Sequence, residues 1–421
     1  MNQERILPRI FIALPIMDEL ETLPLLLFNL KNQDYPPEEI VVCINQPDSW
    51  WEDNLKLQIC LNNQASIKLL EAETKLNIKI IDRSSRGNGW HGKQLGVGWA
   101  RKTAMDEIAS KALPNDLILS LDADSTFGPG YLRSIMQNIH NHPSATGLSI
   151  PYYHQLTGKD ETLDRAMLRY EIYMRCYVLN LWRIGNPYSF SALGSAIALS
   201  VWAYKAIGGI TPKKSGEDFY FLQKLRKFGP LLFWNTEKIF PGNRLSDRVF
   251  FGTGPALIKG IQGDWSSYPI FSPAHFDEVE ETCDLFVKLF EDDIPTPMTA
   301  FLETIFGSDF WQPLRKNSLT CDNFVKSCYQ KVDALRVLQY LKWRDNQQPA
   351  IAESRLAETI KLMNEENSFE REFHEIDHFS FESSPLLQIN EIRIFLMNKE
   401  ESYQRRHIES FPVNQHSQYT L

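Results

Sequence analysis

Cysteine is scarce in this chain and never closely paired: Cys43, Cys60, Cys176, Cys283, Cys321 and Cys328 are scattered through 421 residues with no C-x-x-C among them. That spacing suits neither a zinc site nor a disulfide framework and points to a reducing compartment. Positive charge is in deficit as well. A formal net charge of -9 argues against nucleic acid as the main partner, which would favour a basic face. The small clusters "TPKKS" and "YQRRH" read as solvated surface. Long hydrophobic runs are missing. The most membrane-like stretch, Ser189 to Tyr204, is short, rich in Ser and Gly, and followed by Lys205, unlike a spanning helix. At the N-terminus, "MNQERILPRIFIALP" has charges and prolines where a signal peptide needs an unbroken apolar core. The expectation is a cytoplasmic protein, with peripheral contact at the inner face of a membrane left open. No internal repeat or low-complexity segment stands out.

What is present is the composition of a soluble globular protein, 43% hydrophobic and 23% charged. The length exceeds one ordinary core and predicts a large domain plus a second unit. Short apolar runs alternate with helical patterns through the first half. "RIFIALP" reads as a buried strand, and "TLPLLLFNLKNQ" as a helix with one apolar face. Further strands are predicted at Glu39 to Asn45, Asn77 to Asp82 and Asp116 to Asp122. Between the last two, "GKQLGVGWARKTAMDEIASKAL" has helical spacing. Apolar strands separated by helices predict a mostly parallel sheet covered by helices, an α/β fold. A long helix is expected from Glu161 to about Arg183. Gly216 to Gly229 carries helix start and stop signals, acids first, then Lys and Arg, then Gly. From about Ser272 the texture becomes charged, amphipathic and helical. The division predicted is residues 1–271 for the α/β domain and 272–421 for a mainly α-helical region. That region has three roles open to it: packing on the first domain, forming a homo-oligomer, or holding an acceptor.

The stretch "LILSLDADS" raises a chemical question. A buried strand delivers Asp122 and Asp124, one residue apart, to the carboxyl edge of the sheet, where ligands of open parallel sheets bind. Two such carboxylates repel each other, and burial adds desolvation. A divalent cation relieves both costs, and all-oxygen ligation suits Mg²⁺ or Mn²⁺ with positions left for phosphate oxygens. Equally, Asp122 can cap a turn and Asp124 the following helix through Ser125.

Several elements occur in an order that resembles the family 2 glycosyltransferases, nucleotide-sugar-dependent enzymes of the GT-A fold with a Rossmann-like nucleotide-binding half. They are "IALPIMDELETLPLLLFNLKNQDYP", "EIVVCINQ", "GKQLGVGWARKTAMD", "LSLDADS", and "GSAIALSVWAYKAIGG" followed by "GEDFYFLQKLRKFG". The resemblance covers Arg9 to about Gly254. It implies an inverting transfer of sugar from a nucleotide diphosphate, a UDP-sugar by family habit, to the hydroxyl of a glycan, glycolipid or other acceptor. In its terms Pro15 and Glu19 face the nucleotide, and Asn45 stands where many members have a uridine-binding acid. Asp124 holds the metal, with Asp122 on the metal or the ribose. Asp218 is the candidate general base beside Glu217. For this Glu-Asp pair the plain alternative is stabilisation of a helix N-terminus.

Lys93, Arg101, Arg244 and Arg248 are candidate diphosphate partners, although lone arginines are more often surface ion pairs. Gly194, with Ser195, starts an apparent strand where glycine would let backbone approach the donor sugar; a simple strand-entry turn is the alternative. A third metal ligand is sought among His91, His154 and His275, although a satisfied surface or core histidine is the more common role for each. Trp50, Trp51, Trp90, Trp99, Trp182 and Trp202 either pack cores or offer a sugar-stacking face. The Q-x-x-R-W motif and membrane helices of the processive synthases are absent, which favours a non-processive transferase. A sugar nucleotidyltransferase would need a Gly-rich basic loop after the first strand, where "ALPIMDELE" is acidic. A dinucleotide oxidoreductase ranks lower, since "GVGWAR" supplies only part of a G-x-G-x-x-G pattern. A non-catalytic nucleotide- or sugar-binding protein of the same fold remains the rival from another class.

Overall fold

The computed structural model describes residues 7–92, 95–214, 216–243, 252–365 and 378–411. The chain divides into two compact units. The first comprises residues 1–167, 190–263 and 404–421, the second 168–189 and 264–403. The crossings at 167/168 and 403/404 fall inside helices, α5 (Glu161–Arg183) and α15 (Leu386–Ser410).

The first unit is built on one seven-stranded sheet in the order β3-β2-β1-β4-β6-β5-β7. Its strands are β1 (Ile10–Ile16), β2 (Glu39–Asn45), β3 (Ile78–Arg83), β4 (Leu117–Ser120), β5 (Gly147–Ser149), β6 (Ile197–Ser200) and β7 (Leu231–Leu232). Pairing is parallel from β3 through β2 and β1 to β4, and again between β5 and β7. Only β6 runs against its neighbours β4 and β5. The central strands are apolar on both faces, and β1 and β4 are buried at every position. That is the pattern that makes a parallel sheet rather than a one-sided antiparallel one. At one edge β3 is only partly buried and carries Lys79, Asp82 and Arg83, charges of the kind that discourage edge-to-edge pairing. Covering the sheet, α2 (Leu57–Glu71) packs on β2 and β3, and α3 (Val97–Lys111) on β1, β2 and β4. On the other side of the strand order, α4 (Tyr131–Asn141) packs on β6.

Pro15 marks where the sheet opens. The last β1–β4 pair is Ala13 with Ser120, while the β1–β2 pairing continues to Ile16. A proline has no N–H to give a central ladder, and here β4 has already left that side of β1. Beyond this point β1 stays paired with β2 but no longer with β4, and the carboxyl ends of such strands are where open parallel sheets bind ligands. The fourth strand was expected to run from Asp116 to Asp122. It stops at Ser120 because the backbone turns there, with Ser125 N–H donating to Asp122 O at 3.2 Å.

In the second unit the described residues form helices, among them α9 (Pro273–Asp284), α10 (Thr299–Phe306), α12 (Cys321–Lys331), α13 (Ala334–Gln347) and α14 (Ala352–Glu365). Apolar residues of α9, α10, α12 and α13 meet in a core that includes Phe276, Phe286, Leu302, Phe324, Tyr340 and Leu341. The segment of α5 after Met167 belongs to this unit, and Leu181 joins its core. Among the described residues, no helix of either unit is long and apolar enough to cross a membrane.

Candidate active site

The carboxyl edge of the sheet gathers four segments of the first unit around one side chain. Arg101, on the second turn of α3, is 2% exposed. Its Nη2 donates to Asp122 Oδ1 at 2.8 Å and its Nε to Glu217 Oε1 at 3.2 Å. Nη1 donates to the backbone carbonyl of Gly194 at 2.9 Å and also bonds the hydroxyl of Ser120. Ser120 Oγ in turn donates to the same Gly194 carbonyl at 2.5 Å. The antiparallel β6 explains this meeting. Ser120 pairs with Ile197, so the residues entering β6 and those leaving β4 share one edge. A Cβ on Gly194 would lie 2.5 Å from Arg101 Nη2, so only glycine allows that approach.

Arg101 stays charged. Burial opposes its charge, but the carboxylates of Asp122 and Glu217 more than offset that and raise its pKa. The acids are not equally served. Glu217, 3% exposed, and Asp218 open helix α7 (Glu217–Phe228). Asp218 is part-exposed, and its Oδ1 accepts from the N–H of Phe219 at 2.8 Å. Its surroundings push its pKa up to about 7, by desolvation first and the negative charge of Glu217 second, against weaker pulls from the Phe219 N–H and Arg101. A carboxyl poised near neutral pH can take or give a proton there. Asp82, at the end of β3, shows the opposite case. Desolvation raises it, yet hydrogen bonds from Ser85, Ser84 and Asn88 prevail and hold it down at about 2.

Asp124 lies against a second glycine. A Cβ on Gly242 would come within 2.9 Å of Asp124 Cβ and 3.0 Å of its Oδ2. Backbone pairing brings this about: Thr126 N–H donates to Phe240 O and Phe240 N–H to Thr126 O, each at 2.9 Å. The "PGN" segment therefore runs beside the D-x-D turn.

Could these residues hold a divalent ion? The D-x-D turn offers two carboxylates, and the Asp122 side chain remains 36% exposed while giving one oxygen to Arg101. Two protein carboxylates are what Mg²⁺ ordinarily takes when phosphates and water complete its shell. Among the described residues, no group of three or more His, Cys, Asp or Glu is placed to hold a metal. None of the three histidines considered above joins the pair in such a group. His91 is exposed, His154 is buried with its ring edge-on to Tyr152, and His275 belongs to the second unit. Two carboxylates, one already giving an oxygen to Arg101, suit a hard ion only where oxygens from outside the protein complete its shell.

No family model matches the chain, and no match is found among curated proteins. Solved structures do resemble it. S. aureus TarS in complex with UDP-GlcNAc is 12% identical, over 96% of this chain and 93% of that one, with a TM-score of 0.39. A mannosyltransferase from Pyrobaculum calidifontis, in complex with GDP-Man and Mn²⁺, is 14% identical over 95% and 88%, at 0.36. Glucosyl-3-phosphoglycerate synthase from Mycobacterium tuberculosis, in complex with UDP, is 10% identical over 61% and 79%, at 0.34. At these identities and TM-scores the likeness assigns neither a family nor an activity to this chain.

Of the residues expected from sequence, Arg101, Asp122, Gly194 and Glu217 form one bonded cluster, with Asp218 beside it. Asn45 stands at the end of β2 with both ends of its amide engaged. Its Nδ2 donates to Ile16 O at 2.9 Å, and its Oδ1 accepts from Trp90 Nε1 at 3.3 Å. Glu19 is 8% exposed and accepts the Thr22 hydroxyl at 3.0 Å. Lys93, Arg244 and Arg248 lie outside the described residues. Two participants were not anticipated, Ser120 and Gly242. A signal existed for the first, since Ser120 is the one polar residue of the strand "LILS" and immediately precedes the acids. Gly242 had none, because its role is a through-space approach.

Proposed function

We propose that the chain is an inverting, GT-A-type glycosyltransferase of family 2 character that moves a sugar from a nucleoside diphosphate, a UDP-sugar in the first instance, to an acceptor hydroxyl. The observation that carries this is the gathering, by one buried Arg101, of Asp122 from the D-x-D turn and Glu217 from the Glu-Asp pair at a single sheet edge, with Asp218 next to them. Asp218, as carboxylate, accepts the acceptor's hydroxyl proton while that oxygen attacks the anomeric carbon. The bond from that carbon to the diphosphate oxygen breaks, and the nucleoside diphosphate departs with the electron pair. Asp122 and Asp124 would hold Mg²⁺ or Mn²⁺ together with the diphosphate. When bound, such an ion supplies charge neutralisation for the leaving group. Gly194 and the Gly242 segment line the same edge and limit the space beside the acids.

A panel of nucleotide-sugars assayed for hydrolysis in Mn²⁺, with titration calorimetry of nucleoside diphosphates with and without the metal, tests this reading. Metal-dependent binding and turnover of at least one donor is expected, and Asp124→Ala should abolish the metal-dependent part. Binding without turnover of any donor on any acceptor would identify a binding protein instead. This reading gives the transfer to 1–271 and leaves the helical region 272–421 its three roles of packing on that domain, self-association or acceptor holding.

A further inference from the structure

We infer that Arg101 is a positioning residue that ties the donor-side carboxylate Asp122 to the acceptor-side Glu217 through a single buried guanidinium. Only the words donor and acceptor rest on the proposed transferase; the tie itself rests on geometry. A guanidinium has five N–H donors in a rigid fork. Four hydrogen bonds are already made, to Asp122, Glu217, Gly194 and Ser120. These partners come from β4, the turn after it, the entry to β6 and the first turn of α7, as far as 116 residues from Arg101 in sequence. At 2% exposure the side chain is walled in, with the Gly194 backbone too close to Nη2 to admit even a Cβ. An arginine recruited to grip a diphosphate directly would keep its fork toward solvent. This one turns its fork on the protein and acts through the acids it holds.

The consequence is that the two acids cannot shift independently. Displacement of Asp122 loosens the guanidinium that also holds Glu217, and Glu217 is the immediate neighbour of Asp218. Lysine could keep the charge but has three donors and no fork, so it cannot span both acids and the carbonyl together.

A mutant cycle on stability tests the tie without reference to catalysis. Asp122→Asn, Glu217→Gln and the double variant are compared by urea midpoint in the Arg101 protein and in the Arg101→Met protein, with Arg101→Lys replacing Met should the latter not fold. Contacts that share a partner are non-additive, whereas distant ones add. The two substitutions should be non-additive with Arg101 present and additive without it. Additive midpoint shifts in the Arg101 protein would overturn the inference. A second arm reads turnover. Arg101→Lys should fold with a lowered Tm, having lost part of the hydrogen-bonded fork, and should lose about 100-fold in kcat, the scale of a small misplacement of reacting groups. Gly194→Ala should give a smaller loss of the same kind. An Arg101→Lys enzyme within about twofold of wild-type kcat would also overturn the inference. Failure of the wild type to turn over any donor would count against the proposed reaction, while the stability cycle still decides the tie.

Discussion

Each unit buries arginines against carboxylates, and the two clusters are composed differently. In the second unit Arg175 bonds Glu171 at 2.6 Å and Glu400 at 2.6 Å, while Arg393 reaches Glu171 at 3.2 Å. These four side chains, two of each sign, are all buried. In the first unit Arg101 faces Asp122 and Glu217 with Asp218 next to them, and one of those acids is lifted to about 7. A buried ion set that closes on itself holds helices in register. One with a surplus of carboxyl groups at a part-exposed edge stores a proton affinity that chemistry can use. Burial raises the Glu400 carboxyl as well, against the pull of Arg175, so a raised carboxyl does not by itself separate structure from function; the part-exposed place of Asp218 at the sheet edge does.

The sharpest way to break this contrast is at Asp218. Asp218→Asn should lower transfer by about 100-fold to 10,000-fold, the usual worth of a general base, while donor binding by calorimetry is unchanged. Full transfer in this variant would remove the proposed base. Next in size is the closed cluster. Arg175→Met leaves the Glu171 and Glu400 carboxylates short of a partner and should cost about 3–5 kcal/mol, read as a lowered thermal midpoint. Donor affinity in the surviving folded protein should not move. A variant that kept its stability but lost donor binding would reverse the roles of the two clusters.

The pH dependence separates them further. Asp218 must be deprotonated to act as base, so transfer should fall on the acid side of about pH 7. The stability sign is opposite. The folded protein holds this proton more tightly than the unfolded chain does. Its contribution is full at low pH and is lost as pH rises from the ordinary carboxylate range through about 7. Asp218→Asn should accordingly flatten that decline in a series of urea midpoints from pH 5 to pH 8, where an unchanged decline would assign the elevated proton to another group. The smallest effect is expected at Ser120→Ala, which leaves Arg101 its carboxylates and removes one hydroxyl partner. A loss of about 1 kcal/mol and a few-fold change in turnover should be measurable.

Much of the secondary structure was legible from residue patterns. The strands Glu39–Asn45 and Ile10–Ile16 and the helices Glu161–Arg183 and Glu217–Phe228 follow from apolar runs, helical spacing and terminal charges. The D-x-D acids were legible at the sheet edge because a buried strand must end somewhere, and its first polar residues mark the place. Less legible was what each residue touches. Arg101 reads as any helical arginine until β4 and β6 are paired, and no local signal announces that the Asn45 amide bonds Ile16 and Trp90. Nothing local announces that Arg175 in α5 meets Glu400, 225 residues later.

By itself the order of residues determined the α/β class, the mostly parallel sheet, the helical C-terminal texture, and a pair of acids at the end of a buried strand. Those properties depend on hydrophobic periodicity and turn chemistry over a few residues, which any short window records. Only the tertiary structure decided that β6 would run antiparallel, that one guanidinium would serve two acids, and that Asp218 rather than Asp82 would be left with an elevated proton affinity. Proton affinity and charge pairing depend on distance and desolvation among residues far apart in sequence, and those exist only once the chain has folded.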